Sequence, residues 1–128
     1  MIYIETSVAL AEIFVEDRRP PASLWESDLI SSRLLEYEIW TRVNGRGLGP
    51  QLSESIETFL ARVVLVELDH HVMERALEPF PGPVRTLDAI HLSSVDFLRR
   101  EGQECSVASY DKRLLDVAKK LGFELAVM

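Results

Sequence analysis

Four acidic residues in this sequence have positions that indicate chemistry rather than surface charge. Glu5 directly follows a short apolar run and Asp111 follows another, so both are expected at the carboxyl ends of strands, where open α/β sheets collect their ligand sites. Asp88 falls in the first turn of a long predicted helix. Glu38 falls among apolar residues, one turn after a predicted buried strand. We expect the four carboxylates to meet at one site.

Carboxylates that meet repel one another, by about 4 kcal/mol for each pair at about 4 Å and an effective dielectric near 20. Either some of them take up protons or a hard divalent cation neutralises them. Ligand sets made only of oxygen favour Mg²⁺ or Mn²⁺ over Zn²⁺. A carboxylate-held Mg²⁺ typically acts on phosphates, by activating water and neutralising charge on the phosphoryl oxygens. The four acids therefore predict a phosphodiesterase or nuclease.

Each acid taken alone also has an ordinary structural interpretation. Asp88 and Asp111 lie where a helix dipole favours negative charge, an effect of roughly 0.3 to 1 kcal/mol each. Glu38 is then a surface-facing helix residue and Glu5 a polar residue at a strand end. The four interpretations must hold together, whereas one shared site explains all four residues.

Composition limits the function classes. The chain has 128 residues, enough for one domain, and we expect a single domain over residues 1–128. Its 14 Lys and Arg against 21 Asp and Glu give a formal net charge of −7, which argues against a broad basic face for nucleic acid and means that phosphate chemistry needs a cation. Cys105 is the only cysteine, which excludes an intrachain disulfide and a zinc site of several thiolates.

The sequence also predicts where the protein works. No stretch of eighteen apolar residues is present, so we expect no membrane span. The first residues include an acid at Glu5 and lack the basic region of a secretory signal, so we expect a cytoplasmic protein.

Apolar periodicity that switches between short strand-like runs and longer helical ones predicts an α/β fold with a parallel sheet. The predicted strands cover residues 2–4, 29–30, 63–68, 105–108 and 123–127. The predicted helices carry residues 8–15, 34–43, 53–61, 72–77, 86–101 and 111–121, and residues 45–50 form a loop. The predicted caps are Thr6 or Ser7, Ser31 or Ser32, Asp69 and Asp111 at helix starts, and Gly122 as a left-handed cap at the last helix end.

Four segments in this framework resemble the PIN-domain nucleases, most closely the VapC-type toxins of bacterial and archaeal toxin–antitoxin pairs. They are Ile-Tyr-Ile-Glu-Thr-Ser-Val-Ala-Leu at 2–10, Ser-Ser-Arg-Leu-Leu-Glu-Tyr-Glu at 31–38, Arg-Thr-Leu-Asp-Ala-Ile-His-Leu at 85–92 and Ser-Tyr-Asp-Lys-Arg-Leu at 109–114. Their order and spacing cover nearly the whole chain. The resemblance implies a three-layer α/β/α PIN domain, with a small parallel sheet flanked by helices.

The resemblance also implies a function. Glu5, Glu38, Asp88 and Asp111 would be the catalytic residues and would hold one or two Mg²⁺ or Mn²⁺ ions. The protein would be an endoribonuclease toxin that hydrolyses RNA phosphodiester bonds with metal-activated water, often in a tRNA or another translation RNA. A cognate VapB-type antitoxin would restrain it, and toxins of this kind commonly form homodimers.

One residue departs from the family's pattern. The family has an Asp-Thr-Ser motif where this chain has Glu5-Thr6-Ser7. Glutamate reaches roughly 1.5 Å further than aspartate, and an error near 1 Å in a catalytic geometry can cost on the order of a hundredfold in rate. The alternative is therefore a PIN-like protein-interaction module whose metal site is weakened or inactive because of Glu5.

A receiver-like phosphoacceptor domain also gathers acids around Mg²⁺ at strand ends. It requires an Asp nucleophile after a central strand and a lysine in the third quarter of the chain. No lysine lies between Asp69 and Lys112, which argues against this class.

Several further residues have two interpretations. Ser7 is expected either to donate a hydrogen bond to a ligand carboxylate or to cap its helix, and His91 is interpreted as a packed, hydrogen-bonded residue outside catalysis. Arg85, Lys112 and Arg113 flank the acids and either contact RNA phosphates or are exposed charges. The aromatic residues Phe14, Trp25 and Trp40 belong either to the core or to a groove for the antitoxin.

Overall fold

The computed structural model describes all residues 1–128, and a parallel β-sheet forms its centre. The four strands are β1 (Ile2–Ile4), β2 (Leu29–Ser32), β3 (Val63–Val66) and β4 (Ser106–Ala108). They lie in the order β3-β2-β1-β4, and every neighbouring pair is parallel. Strand β1 therefore has a partner on each side, with Ile2 opposite Leu29 of β2 and opposite Ser106 of β4.

Helices connect the strands. They are α1 (Thr6–Ile13), α2 (Arg33–Gly45), α3 (Gly49–Leu60), α4 (His70–Ala76), α5 (Thr86–Arg100) and α6 (Lys112–Lys120), with a 3₁₀ turn at Ala22–Glu26. None of the six helices combines the length and the apolar character that crossing a membrane requires.

The sheet separates two apolar layers because neighbouring residues of a strand point to opposite faces. Ile4 and Leu29 face the layer built from α1, α2 and α3. Tyr3 and Ile30, their neighbours in sequence, face the layer built from α5 and α6. Helix α4 lies against α5. This arrangement confirms the predicted three-layer α/β/α fold.

The predicted last strand at residues 123–127 is wrong. This segment makes a single bridge to β4, in which the Val107 N–H donates to the Glu124 carbonyl at 2.8 Å and the Ala126 N–H donates to the Val107 carbonyl at 2.9 Å. Phe123 is buried, whereas Val127 is 91% exposed. The apolar pattern reported the burial of Phe123, whereas the pairing with β4 is limited to one bridge.

The predicted caps hold for α2, α4, α6 and the end of α6. Side chains of Ser32, Asp69 and Asp111 accept the backbone N–H groups at the starts of these helices, and Gly122 has φ +92°. Helix α1 differs from prediction, since neither Thr6 nor Ser7 caps it. The cap is Glu5, whose carboxylate accepts the Ser7 N–H at 3.1 Å.

Two helix boundaries also differ from the sequence prediction. Helix α1 ends at Ile13, before a residue with positive φ, Val15 at 52°. Helix α3 begins at Gly49, inside the predicted loop 45–50, with Pro50 in its first turn. Proline is favoured there because its missing N–H is not needed at a helix start.

Candidate active site

The four predicted acids line one cleft of about 550 Å³ at the carboxyl edge of the sheet. Glu5 is 7% exposed and Asp88 9%. Glu5 and Asp111 immediately precede α1 and α6, Asp88 lies in the first turn of α5, and Glu38 lies in α2. The start of three helices at one edge gathers positive dipole ends there, which favours negative side chains.

Glu5 is held by a cradle of hydroxyl groups. Its Oε1 atom accepts hydrogen bonds from Ser7 Oγ at 2.5 Å and from Ser109 Oγ at 2.6 Å. Ser7 Oγ in turn accepts the Tyr110 N–H at 2.8 Å, and Ser109 Oγ accepts the Asp111 N–H at 2.9 Å. The cradle therefore joins the loop after β4 to the start of α1 and fixes the Glu5 carboxylate.

Glu38 is held by a second set of donors. Its Oε1 atom accepts from Thr6 Oγ1 at 2.7 Å and lies 2.7 Å from His91 Nε2. His91 is 2% exposed, and its Nδ1 atom lies 2.8 Å from the Tyr3 hydroxyl. A carboxylate only accepts hydrogen bonds, so Nε2 carries the proton that His91 donates to Glu38. In the neutral ring Nδ1 then accepts from Tyr3, and the order of donors runs from Tyr3 through His91 to Glu38.

Protonation states agree with this order. Burial raises the pKa of the Tyr3 hydroxyl above its usual value, which keeps it protonated as a donor. Burial also raises the pKa of Glu38, but the hydrogen bonds from His91 and Thr6 lower it more, and the net shift is downward. Glu38 is therefore an ionised carboxylate at neutral pH. Because Oε1 takes both hydrogen bonds, Oε2 remains available to a cation.

Asp88 and Asp111 both form ion pairs with the guanidinium group of Arg85. Arg85 donates from Nε to Asp88 Oδ2 at 3.2 Å and from Nη2 to Asp111 Oδ2 at 2.9 Å. The hydrogen bond and the charge of Asp88 raise the pKa of the Arg85 guanidinium. Asp111 Oδ1 accepts the backbone N–H of Arg113 at 3.0 Å, which leaves Asp88 Oδ1 as the less engaged oxygen of the pair.

The four carboxylates line the same cleft without forming a ready-made metal centre. No three side chains among His, Cys, Asp and Glu lie close enough together to share one metal ion. The mutual repulsion expected from the sequence is met by hydroxyl, imidazole and guanidinium donors of the chain. The oxygen atoms that remain are nonetheless of the type that Mg²⁺ and Mn²⁺ prefer, so the donor chemistry fits these ions. The metal-ligand roles of the four acids stay predictions.

The other residues singled out in the sequence have varied positions. Ser7 donates to the Glu5 carboxylate, as one of its two interpretations expected, and His91 is packed and hydrogen-bonded. Lys112 and Arg113 are exposed, and Arg113 lines a small hollow beside Arg85 and Asp88. The aromatic residues pack partly buried against the core of α1, α2 and α3: Phe14, Trp25 and Trp40.

Sequence reasoning missed three donors and two arginines. The sequence predicts Tyr3 as a strand residue and Thr6 as a possible cap, and it assigns no role to Ser109, although these three residues help to hold Glu38 and Glu5 in place. The one available signal was that Thr6 and Ser109 stand within two residues of a predicted acid. Arg18 and Arg42 line the cleft as well, and only the fold brings them there.

Comparisons with known proteins agree with this architecture. The model of the PIN domain family matches residues 2–120. Ribonuclease VapC35 of Mycobacterium tuberculosis (strain CDC 1551 / Oshkosh) is 30% identical over 127 residues, covering 94% of this chain and 92% of that protein. Ribonuclease VapC47 of the same strain is 29% identical over 133 residues, covering 98% and 96%.

A third relative matches over a shorter range. Ribonuclease VapC46 of Mycobacterium tuberculosis (strain ATCC 25618 / H37Rv) is 33% identical over 94 residues, which is 73% of this chain and 68% of that protein. The family model and the first relative each cover most of the chain. The chain also has the three-layer fold and the cleft lined by acids that were expected for this family. The chain therefore belongs to the PIN domain family, and within that family it is of the VapC type.

Proposed function

We propose that residues 1–128 form one PIN domain that hydrolyses RNA phosphodiester bonds with Mg²⁺ or Mn²⁺ as cofactor, as the toxin of a toxin–antitoxin pair. The names of the relatives support ribonuclease activity. The observation that carries the proposal is the convergence of Glu5, Glu38, Asp88 and Asp111 on one cleft at the carboxyl edge of the sheet.

The four acids would hold the cation through carboxylate oxygens, of which Glu38 Oε2 and Asp88 Oδ1 are the least engaged. A divalent cation bound there supplies a nucleophile from water at neutral pH and neutralises charge on the phosphoryl oxygens. Glu5 is oriented by the hydroxyls of Ser7 and Ser109, and Glu38 by His91. These contacts fix the carboxylates before substrate binds, which lowers the cost of reaching the reactive geometry.

Arginines of the cleft would bind the RNA backbone. Arg18 and Arg42 line the same cleft and form no ion pair with an acid of the chain. In a protein with a net charge of −7, two unpaired guanidinium groups beside the acids are suited to phosphate oxygens. Because the number of such contacts is small, we expect a shallow dependence of RNA affinity on salt.

Cleavage of total RNA with Mg²⁺ or Mn²⁺, and its loss in EDTA, tests the proposal. Asp88→Asn should remove the metal-dependent cuts. Asp116→Asn is the matched control, because Asp116 is an exposed aspartate of α6 outside the cleft, and it should cleave like the unchanged protein. Cuts that persist in EDTA or in Asp88→Asn would contradict the proposal.

One observation favours the second candidate, a PIN-like interaction module with a weakened metal site. Glu5 turns its carboxylate back onto Ser7 in the first turn of its own helix, and it accepts three hydrogen bonds, from the Ser7 N–H, from Ser7 Oγ and from Ser109 Oγ in the loop after β4. The carboxylate of an aspartate at position 5 would extend roughly 1.5 Å less far toward the hydroxyls of Ser7 and Ser109. A protein that binds its partner but cuts no RNA with any divalent metal would support this candidate over the nuclease.

The proposed partner is a VapB-type antitoxin, and the proposed assembly is a homodimer in the cytoplasm. Trp25 and Trp40 are partly buried, and Trp25 packs edge-on against Phe59 at 5.6 Å between ring centres. If the partner covers this region, tryptophan fluorescence should shift when it binds. An unchanged spectrum would exclude both tryptophans from the partner groove, and sedimentation of the purified chain gives the oligomeric state.

A further inference from the structure

Arg85 lies between two carboxylates of the cleft and pairs with both. Its two hydrogen bonds end on the Oδ2 atoms of Asp88 and Asp111, at 3.2 and 2.9 Å. Asp88 belongs to α5 and Asp111 caps α6, so the guanidinium joins the starts of two helices. One positive charge thereby holds two negative side chains together.

The exposures of the three side chains differ in a way that makes this contact reversible. The Arg85 side chain is 67% exposed, whereas those of Asp88 and Asp111 are 12% and 20% exposed. Exposed ion pairs contribute roughly 0 to 1 kcal/mol each. The guanidinium can therefore return to water at little cost, while the two carboxylates stay in the cleft and need another counter-charge.

Other arginines at the cleft do not have this role. Arg42 lines the cleft on the side of Glu38 and forms no ion pair, and Arg18 lies over the ring of Tyr110 at 4.6 Å. Arg85 also precedes α5 directly, after a segment that contains Pro79, Pro81 and Pro83 and lies outside any helix or strand. The Arg85 carbonyl accepts the Ala89 N–H at 2.9 Å, but its side chain is 67% exposed and can change rotamer without moving the backbone.

We propose that Arg85 is a positioning residue that holds Asp88 and Asp111 side by side as an internal counter-charge and exchanges with the divalent cation. The proposal rests on the proposed function, because it assumes that these carboxylates bind the cation. In the exchange the cation enters the pair and the guanidinium leaves it with its charge unchanged. The released guanidinium stays tethered at the rim of the cleft, within reach of a phosphate on the RNA.

The exchange makes a prediction about metal affinity in the absence of RNA. Arg85→Gln removes the competing charge. Mn²⁺ should therefore bind to this variant roughly two- to tenfold more tightly than to the unchanged protein, which is the effect expected for one or two exposed ion pairs. Isothermal titration with MnCl₂, or the electron paramagnetic resonance signal of free Mn²⁺, measures this affinity without any cleavage assay. Circular dichroism confirms that the variant is folded.

Arg42→Gln is the matched control, since it removes the same charge from the same cleft without breaking an ion pair. A larger gain in Mn²⁺ affinity for Arg85→Gln than for Arg42→Gln supports the exchange. Equal gains, or no gain in Arg85→Gln, would overturn it and show that Arg85 acts only through overall charge or not at all.

A second readout separates this inference from the nuclease proposal. Without metal, Arg85→Gln should melt at a lower temperature than the unchanged protein. The difference in melting temperature should shrink in saturating Mn²⁺, because the bound cation then provides the counter-charge for Asp88 and Asp111 in both proteins. A difference that is the same with and without Mn²⁺ contradicts the exchange. If the unchanged protein cleaves RNA but Arg85→Gln has the same Mn²⁺ affinity as the unchanged protein, the exchange is contradicted and the nuclease proposal is not. No Mn²⁺ binding by any of the proteins would overturn both.

Discussion

His91 Nε2 lies 2.7 Å from Glu38 Oε1, so a fully buried imidazole on α5 positions an acid on α2. The other ring nitrogen contacts the hydroxyl of Tyr3 on the central strand. His91 thus links the sheet, two helices and one wall of the cleft through side-chain contacts alone. Its role is to orient a carboxylate, since Glu38 and Thr6 surround the nitrogen that faces the cleft.

His91→Phe should weaken both the fold and the site. It leaves the Tyr3 hydroxyl buried without its partner, which costs about 1 to 3 kcal/mol, and it frees Glu38 to move. We expect a lower free energy of unfolding in urea and a fall in kcat with a smaller change in KM. His70→Phe is the control, because His70 is exposed on α4 and should stay within about 0.5 kcal/mol of the unchanged protein. Equal stability of the two variants would contradict the structural role of the Tyr3–His91 contact, and an unchanged kcat in His91→Phe would contradict the positioning of Glu38.

Glu5→Asp tests whether the longer side chain limits the site. The aspartate carboxylate is withdrawn by roughly 1.5 Å from the hydroxyls of Ser7 and Ser109, and the substitution restores the Asp-Thr-Ser motif that the resemblance implies. We expect metal-dependent RNA cleavage to rise about tenfold or more, since placement errors near 1 Å cost on the order of a hundredfold. Glu5→Ala should abolish cleavage. If both variants cleave like the unchanged protein, Glu5 is not a ligand.

Asp96 should control stability at acid pH. Burial raises its pKa, but hydrogen bonds from Arg75 at 2.6 Å and Arg99 at 2.7 Å lower it more, and the net pKa lies below its usual value. Because the folded-state pKa is depressed, the stabilisation is present above the unfolded pKa of about 3.9 and is lost as the pH falls through the folded value.

Asp96→Asn therefore has a signature in both pH and magnitude. At pH 7 it leaves the buried Arg75 with only the exposed Glu78, at 3.6 Å, as a counter-charge, so the free energy of unfolding should fall by about 3 kcal/mol, the lower end of the range for breaking a buried pair. Below pH 4 the variant should lose less further stability than the unchanged protein. Urea unfolding between pH 7 and pH 3 measures both effects, with Asp116→Asn as the exposed control. A constant difference across this range would refute the assignment.

Val15 is a β-branched residue with φ 52°, a conformation that costs a non-glycine residue about 1 to 2 kcal/mol. Its side chain is 67% exposed, so little packing is lost on substitution. Val15→Asn should stabilise the protein by about 0.5 to 1 kcal/mol, because asparagine tolerates this region. Val64→Asn, on the exposed part of β3, should have the opposite sign because asparagine disfavours strands. Thermal unfolding of both variants decides the point.

Local signals explain why much of the fold was predictable. Ser32, Asp69 and Asp111 precede apolar helical periods, and the cap of each helix depends on residues a few positions apart. The final segment 123–127 has equally apolar residues, yet it makes only one bridge to β4. A strand depends on the number of backbone hydrogen bonds it makes with a neighbouring strand, and that number is not visible in the sequence of the segment itself.

The site was predictable in its residue types and less so in its arrangement. Placing Glu5 and Asp111 at strand ends required only the order of elements, and both line the cleft. Arg85 can pair with both Asp88 and Asp111 only because the starts of α5 and α6 lie close together. The hydroxyl of Ser109 reaching Glu5 likewise depends on two strands being neighbours in the sheet, which short-range patterns do not report.

The central position of β1 gives the cleft two walls of unequal stiffness. Tyr3 and Ile4 anchor the two apolar layers on opposite faces of the sheet, so the wall that begins at Glu5 can open only when the middle of the sheet opens. Amide protons there should exchange with deuterium at rates near those of global unfolding, whereas those of Phe80, Gly82, Val84 and Arg85 should exchange by local opening. A substrate that needs a wider cleft would thus gain its space from the proline-rich side, by movement of the segment that carries Arg85.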